Sequence, residues 1–265
     1  RKSLRYTEIL YKDYLKKKYS IIEIHNRPES LLFLLKKKIN AKITFVFHNN
    51  PKEMRGSATK KERIFIAENC DYIYFVSMWV KDKFFEGLPY KHRNNCEILY
   101  PAIKPLKKFP KKEKLIIFCG KLNSSKGYDI FGESVIKILD KYKDWKAIAI
   151  GNEPREKFDF NHKNFRILDW IKHDEILNYY SRSSISVVPS RWLEPFGRTA
   201  MESAAHGCAT ITSKNGGLPE TFYNDLFLQN ISSKEVYNSI EKLILNKKLR
   251  HKIQKKNFLN VRHKL

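Results

Sequence analysis

Short apolar runs alternate along this chain with stretches in which apolar residues recur every three or four positions. The opening residues Leu4, Ile9, Leu10, Tyr14 and Leu15 follow helical spacing. Apolar runs at 20–24, 42–47, 72–76 and 97–100 then read as strands, each separated from the next by a helical segment. A second series follows, with strands expected at 115–119, 146–150, 165–168, 185–188, 209–212 and 226–228. A helical tail begins at Ser233, carrying Val236, Ile240, Leu243 and Ile244 on one face. Strands that alternate with helices point to parallel sheets, so the expected class is α/β, with two Rossmann-like doubly wound domains. Between the two series, 101–114 is basic, lacks apolar periodicity and carries Pro101, Pro105 and Pro110, which marks it as a linker. The expected domains are 1–104 and 105–265.

One stretch of the second domain stands out chemically. The apolar run 185–188 stops at Pro189, a polar loop through Glu194, Pro195 and Phe196 follows, and a small-residue segment after Gly197 reads as a buried helix closed by Gly207. The N–H groups of 196–199, including those of Phe196, Gly197, Arg198 and Thr199, open that helix as an anion site. Glu194 sits at the helix mouth and Glu202 eight positions later, so that two carboxylates flank one ligand-sized space. Alone, such a pair reads equally as a capping Glu and a solvated helix Glu. A second motif, Gly120-Lys121 with Lys126-Gly127, follows the strand 115–119. Its lysines could neutralise a diphosphate at the carboxyl edge of the sheet, or be ordinary loop lysines in a lysine-rich chain. In the first domain His48 ends the apolar run 43–47. His25-Asn26-Arg27 ends the strand before it, and Arg55-Gly56 lies near a helix start.

Glu194 and Glu202 around Pro195-Phe196-Gly197, the later Gly216-Gly217 with Pro219-Glu220, and the Gly120-Lys121…Lys126-Gly127 loop together resemble the signature of the retaining, nucleotide-sugar-dependent "group 1" glycosyltransferases of GT-B fold. The resemblance implies a hexosyltransferase that moves a sugar from a nucleoside diphosphate sugar, such as a UDP-sugar, to a glycan or lipid-linked acceptor held between two domains. Synthesis of cell-surface polysaccharide or lipopolysaccharide is the implied setting. It further implies Gly120, Lys121, Lys126, Trp170, Glu194, Phe196, Gly197, Arg198, Thr199 and Glu202 as donor-binding residues. Glu202 would take the ribose hydroxyls, Glu194 the sugar hydroxyls, and Trp170 would flank the base. His48, Glu194 and Lys126 would be the catalytic set, with His48-Asn49 standing where the family carries a histidine that reaches the donor sugar. The family usually has arginine at the position of Lys121, so here charge is kept and bidentate geometry is lost. In the family the first domain begins with a further strand, a glycine-rich turn and a helix. Nothing before Arg1 supplies that turn, so the resemblance starts inside a truncated first domain.

Composition narrows the alternatives. The 265 residues are 42% hydrophobic and 13% aromatic, enough for a real core. No apolar run approaches the roughly 20 residues that span a bilayer. Cys70, Cys96, Cys119 and Cys208 form no C-x-x-C pair and read as free thiols, which suggests a reducing, cytoplasmic setting. No G-x-G-x-x-G follows a strand and no Walker A loop is present, which excludes the common dinucleotide and P-loop readings. No Asp, Glu and His cluster suggests a metal. With lysines at the diphosphate, no cofactor or divalent ion is expected. The net charge of +24, from 52 Lys+Arg against 28 Asp+Glu, asks for an anionic partner. An anionic membrane surface, with the enzyme peripheral on the inner face, and a plain compositional bias both answer it, because the lysines are scattered. A nucleic-acid-binding protein is the rival that the charge suggests, but no interleaved basic and aromatic signature supports it. A catalytically silent module of the same family is the third reading.

Overall fold

In the computed structural model, residues 2–104, 106–222 and 226–263 are described. The chain divides into two compact units, Arg1–Pro101 and Ala102–Leu265. Unit 1 contains α1 (Lys2–Lys17), β1 (Ile21–His25), α2 (Pro28–Lys36), β2 (Lys42–Phe47), α3 (Lys60–Asn69), β3 (Tyr72–Phe75), α4 (Met78–Phe85) and β4 (Cys96–Ile98). Its strands are all parallel, in the order β1-β2-β3-β4. Phe45, Phe47, Phe75 and Phe84 pack ring against ring in its core, the closest pair with centroids 4.5 Å apart. Thr59 and Glu62 form a reciprocal capping box that starts α3. The buried Arg63 on that helix donates to the carbonyls of Ser57, Ala58, Phe84 and Glu86, which satisfies a guanidinium that has no acid against it.

Unit 2 contains β5 (Glu113–Cys119), α5 (Tyr128–Lys141), β6 (Lys146–Ile150), β7 (Phe165–Leu168), α6 (His173–Arg182), β8 (Ser183–Val188), α7 (Arg198–Ala205), β9 (Ala209–Thr212), α8 (Ser233–Leu245) and α9 (Lys247–His263). The parallel sheet runs β7-β6-β5-β8-β9, so the chain winds outward from β5 in one direction, then returns and winds outward in the other. This is the doubly wound topology, with its switch point between β5 and β8. Consecutive residues Leu115, Ile116, Ile117 and Phe118 are all buried, because both faces of β5 are covered. Ile116 and Phe118 join the cluster made with α5 and α8, while Leu115 and Ile117 join Ile176 and Tyr180 of α6.

Two expectations are corrected here. The strand expected at 226–228 is reduced to one bridge between Thr212 and Phe227, made by Thr212 N–H to Leu226 O and Leu228 N–H to Thr212 O. The stretch 101–114, read as the linker, holds the division between the units at Pro101 and Ala102, but its later residues are built into unit 2. Glu113 and Lys114 already belong to β5, and Pro105 lies outside the described residues. Phe109 packs edge-on against Phe258 of α9 at 5.5 Å between centroids. The half-buried Lys112 donates to the carbonyls of Tyr180, Ser181 and His206. Burial pushes its ammonium below the usual lysine range, and the three carbonyls are what keep a charge there tolerable.

Acid should loosen the α5 and α8 contact. Glu241 accepts hydrogen bonds from Lys141, Tyr237 and Tyr142, which holds its carboxyl down at about 2 from an ordinary 4.5. A lowered carboxylate pKa adds stability that is complete above 4.5 and lost as pH falls through about 2. Thermal melts across that window should show a smaller acid-dependent loss in Glu241→Gln than in the native chain, and equal slopes would refute the assignment.

Candidate active site at the ends of β5 and β8

The site is built at the carboxyl ends of β5 and β8, on either side of the switch point, where open α/β sheets take ligands. β8 ends at Val188, and the loop that follows is fixed from two sides. On one side, Ser125 O accepts the N–H groups of both Arg191 and Trp192, at 2.9 and 3.0 Å. The Arg191 guanidinium makes a two-toothed pair with Asp129 of α5, at 2.7 and 2.8 Å. On the other side, Asn215 Nδ2 donates to the carbonyls of Ser190 and Arg191, and Gly217 N–H donates to Glu194 O at 2.7 Å. The glycine pair is required by this approach: a Cβ on Gly216, at φ +66°, would lie 2.1 Å from Glu194 O.

The loop after β5 is shaped to meet it. Asn123 Oδ1 caps the turn 124–126 by accepting Lys126 N–H, and Glu156 Oε2 accepts both the N–H and the hydroxyl of Ser124. Gly127 then takes φ +74°, and a Cβ there would stand 2.2 Å from Pro189 O. The two loops therefore touch backbone to backbone. That contact sets Lys126 Nζ 2.6 Å from Glu194 Oε1 and 4.1 Å from the centroid of the Trp192 ring. Both partners are largely shielded, with 23% and 12% of their side chains exposed, so the pair is held more firmly than a surface salt bridge. The two sequence motifs meet in one ion pair.

Behind them, Glu202 is buried on α7, and its Oε1 contacts Arg198 Nη2 at 3.0 Å and His173 Nε2 at 3.1 Å. Oε2 has no partner among the described residues. α7 opens at Arg198 with Gly197 at φ +105°, and Gly197 O accepts from both Ala200 and Met201. Within the anion site expected over 196–199, the N–H groups of Arg198 and Thr199 have no partner among the described residues. Cys119, at the end of β5, is pushed up to about 11 chiefly by burial, so it stays a neutral thiol and not a nucleophile. Among the described residues no three His, Cys, Asp or Glu side chains converge as a metal site.

The family model described as glycosyl transferases group 1 matches residues 101–259, more than half of the chain. The chain belongs to this family. Among curated relatives, an uncharacterized 42.6 kDa protein in the cps region of Klebsiella pneumoniae is 29% identical over 164 residues, 58% of this chain and 41% of that protein. The lipopolysaccharide core biosynthesis mannosyltransferase LpsB of Rhizobium meliloti is 31% identical over 130 residues, 45% of this chain and 35% of LpsB. The chain thus spans less than half the length of either. The crystal structure of Anabaena Alr3699/HepE in complex with UDP superposes with a TM-score of 0.77 at 14% identity, covering 96% of this chain and 76% of that one. Together with the parallel sheets, it makes the fold α/β of the GT-B kind.

Within this group 1 chain the expected site residues fall into three sets. Lys126, Glu194, Phe196, Gly197, Arg198, Thr199 and Glu202 are gathered at one place in unit 2, with Phe196 buried as packing beneath the loop. Gly120 and Lys121 lie on the same edge, but Lys121 is exposed and, unlike that of Lys126, its ammonium has no partner among the described residues. Trp170 is 55% exposed, and its ring reaches the edge of Gly151 at the end of β6. His48 belongs to unit 1, at the end of β2, where its Nε2 lies 2.8 Å from His25 Nδ1. His173 was missed. Its only sequence signal is a histidine at a helix start, and what gives it meaning is a contact with a glutamate 29 residues away.

Proposed function

We propose that this chain catalyses retaining transfer of a sugar from a nucleoside diphosphate sugar to a glycan or lipid-linked acceptor, in the making of a cell-surface polysaccharide or lipopolysaccharide. The observation that carries the reading is the Lys126–Glu194 pair at the switch point. A cation and a carboxylate there suit the two halves of the donor, diphosphate and sugar. The role of LpsB in lipopolysaccharide core synthesis and the UDP complex of HepE support the setting and the donor class.

The chemistry follows from charge. Breaking the bond from the sugar carbon to the diphosphate leaves negative charge on oxygen. Lys126 and the N–H groups of Arg198 and Thr199 are preorganised donors for it, and the exposed Lys121 adds positive charge at the same edge. Glu202, through Oε2, accepts ribose hydroxyls. Glu194, once the diphosphate shares Lys126, accepts a sugar hydroxyl. The acceptor oxygen bonds to the sugar carbon on the face that the diphosphate leaves, and its proton passes to the departing diphosphate oxygen. No resident metal takes part in this reading.

Calorimetry with UDP and GDP beside a single-stranded oligonucleotide, followed by turnover with nucleotide sugars, tests it. The expected result is binding of at least one nucleoside diphosphate, a product of unchanged anomeric configuration, and turnover indifferent to EDTA. Tighter binding of the oligonucleotide than of either nucleotide would overturn the reading in favour of nucleic acid, and an inverted product would remove the retaining step.

A further inference from the structure

At the carboxyl edge of the unit 1 sheet, three side chains from neighbouring strands form a line. Glu23 Oε1 lies 2.5 Å from His25 Nε2, and His25 Nδ1 lies 2.8 Å from His48 Nε2. The two rings stack with centroids 5.1 Å apart. Asn26, at φ +55°, accepts the His48 N–H on its side chain and donates its own N–H to Val46 O, which locks both strand ends in register.

Counting hydrogens along this line, with His48 kept neutral, leaves two arrangements. An ionised carboxylate only accepts, so His25 Nε2 must carry a hydrogen. If His25 is neutral, its Nδ1 is bare and His48 must donate from Nε2, which leaves Nδ1 of His48 as an acceptor. If His25 gains one proton, its Nδ1–H donates to His48 Nε2, and a neutral His48 must carry its hydrogen on Nδ1. We infer that Glu23 and His25 are positioning residues for His48: they decide which of its nitrogens holds the proton, and one proton taken up by His25 turns His48 Nδ1 from acceptor to donor.

Burial, and then the charge of His25, lower the pKa of His48, which disfavours a second proton on that ring. The other charged groups at this edge are Arg27 on the turn after β1 and the Glu29–Arg55 pair between α2 and the loop after β2. Among the described residues Arg27 has no acid partner, Glu29 is paired with Arg55, and Glu23 is the only carboxylate in contact with the line. The effect on turnover rests on the sugar-transfer reading, with His48 in the catalytic set that the family resemblance implies. The tautomer is a property of the free chain.

Nitrogen NMR of the 265-residue chain, labelled on histidine, reads the tautomer directly across pH ~5 to ~8. The expected result is His48 protonated on Nε2 at the upper end and on Nδ1 at the lower end. Glu23→Gln, whose amide can donate as well as accept, should mix the two His48 tautomers at the upper end, and His25→Phe should abolish the changeover. In a transfer assay kcat/KM should show a step at the same pH in the native chain and none in His25→Phe, with KM changed less than kcat. A His48 tautomer that stays constant while His25 titrates overturns the relay, as does a pH profile shared by the native chain and His25→Phe. Because the NMR needs no turnover, loss of the sugar-transfer reading and loss of the relay are told apart.

Discussion

Glu194→Ala is expected to cut sugar transfer about a hundredfold or more while leaving nucleoside diphosphate affinity within about threefold, the scale set by losing one preorganised polar contact at the reacting group. The structure adds a reason why nucleotide binding should survive. Glu194 occupies Lys126 at 2.6 Å, so removing it releases an ammonium for the diphosphate. Glu202→Ala should do the opposite and weaken nucleotide and nucleotide sugar alike by about tenfold to a hundredfold, because a hydrogen bond to a charged group is worth about 1.5 to 3 kcal/mol. It also strips Arg198 and His173 of their shared acceptor. Calorimetry with free nucleotide beside turnover with the sugar donor separates the two variants. The assignment is wrong if Glu194→Ala loses nucleotide while Glu202→Ala keeps it. Melting temperatures guard against a common cause, since a shared loss with a lowered Tm means that loop and helix came apart.

Gly127→Ala should be nearly as damaging without touching a charged group. At φ +74° a Cβ costs about 1 to 3 kcal/mol of strain, and it would also meet Pro189 O at 2.2 Å, a backbone atom that cannot swing away. The loops must part, and an ångström of displacement between Lys126 and Glu194 is enough for a loss of about a hundredfold in transfer. Gly87→Ala is the matched control. Gly87 has φ +76°, but its Cβ would meet only the flexible end of Lys60, at 2.7 Å. Both variants should lose stability, and only Gly127→Ala should lose transfer. If the two behave alike, contact between the loops is not what places Lys126.

Most of the strands in both units, Lys42–Phe47 and Phe165–Leu168 among them, could be read from the chain because a buried parallel strand is a short apolar run ended by a polar turn. The run at 226–228 misled because an apolar triplet does not by itself find a partner edge, and only one bridge to Thr212 forms. The linker misled differently. Polar and proline-rich residues read as unattached, but Lys112 is held by three carbonyls, and backbone acceptors leave no mark on the identity of the residues that carry them.

The same division runs through the site. Glycines at 127 and 216, prolines at 189, 195 and 219, and the residue types at 126, 194 and 202 are properties of the chain, and local conformational preference carries their message: a turn here, a helix start there. That Lys126 belongs to Glu194 across 68 positions, that His173 and Arg198 share one oxygen of Glu202, and that Glu23, His25 and His48 stand in a line were decided only when strands distant in sequence became neighbours. Hydrogen bonds and ion pairs act over a few ångströms and depend on direction. The sequence therefore names the groups that can make them, and the order of strands in the sheet decides which ones do.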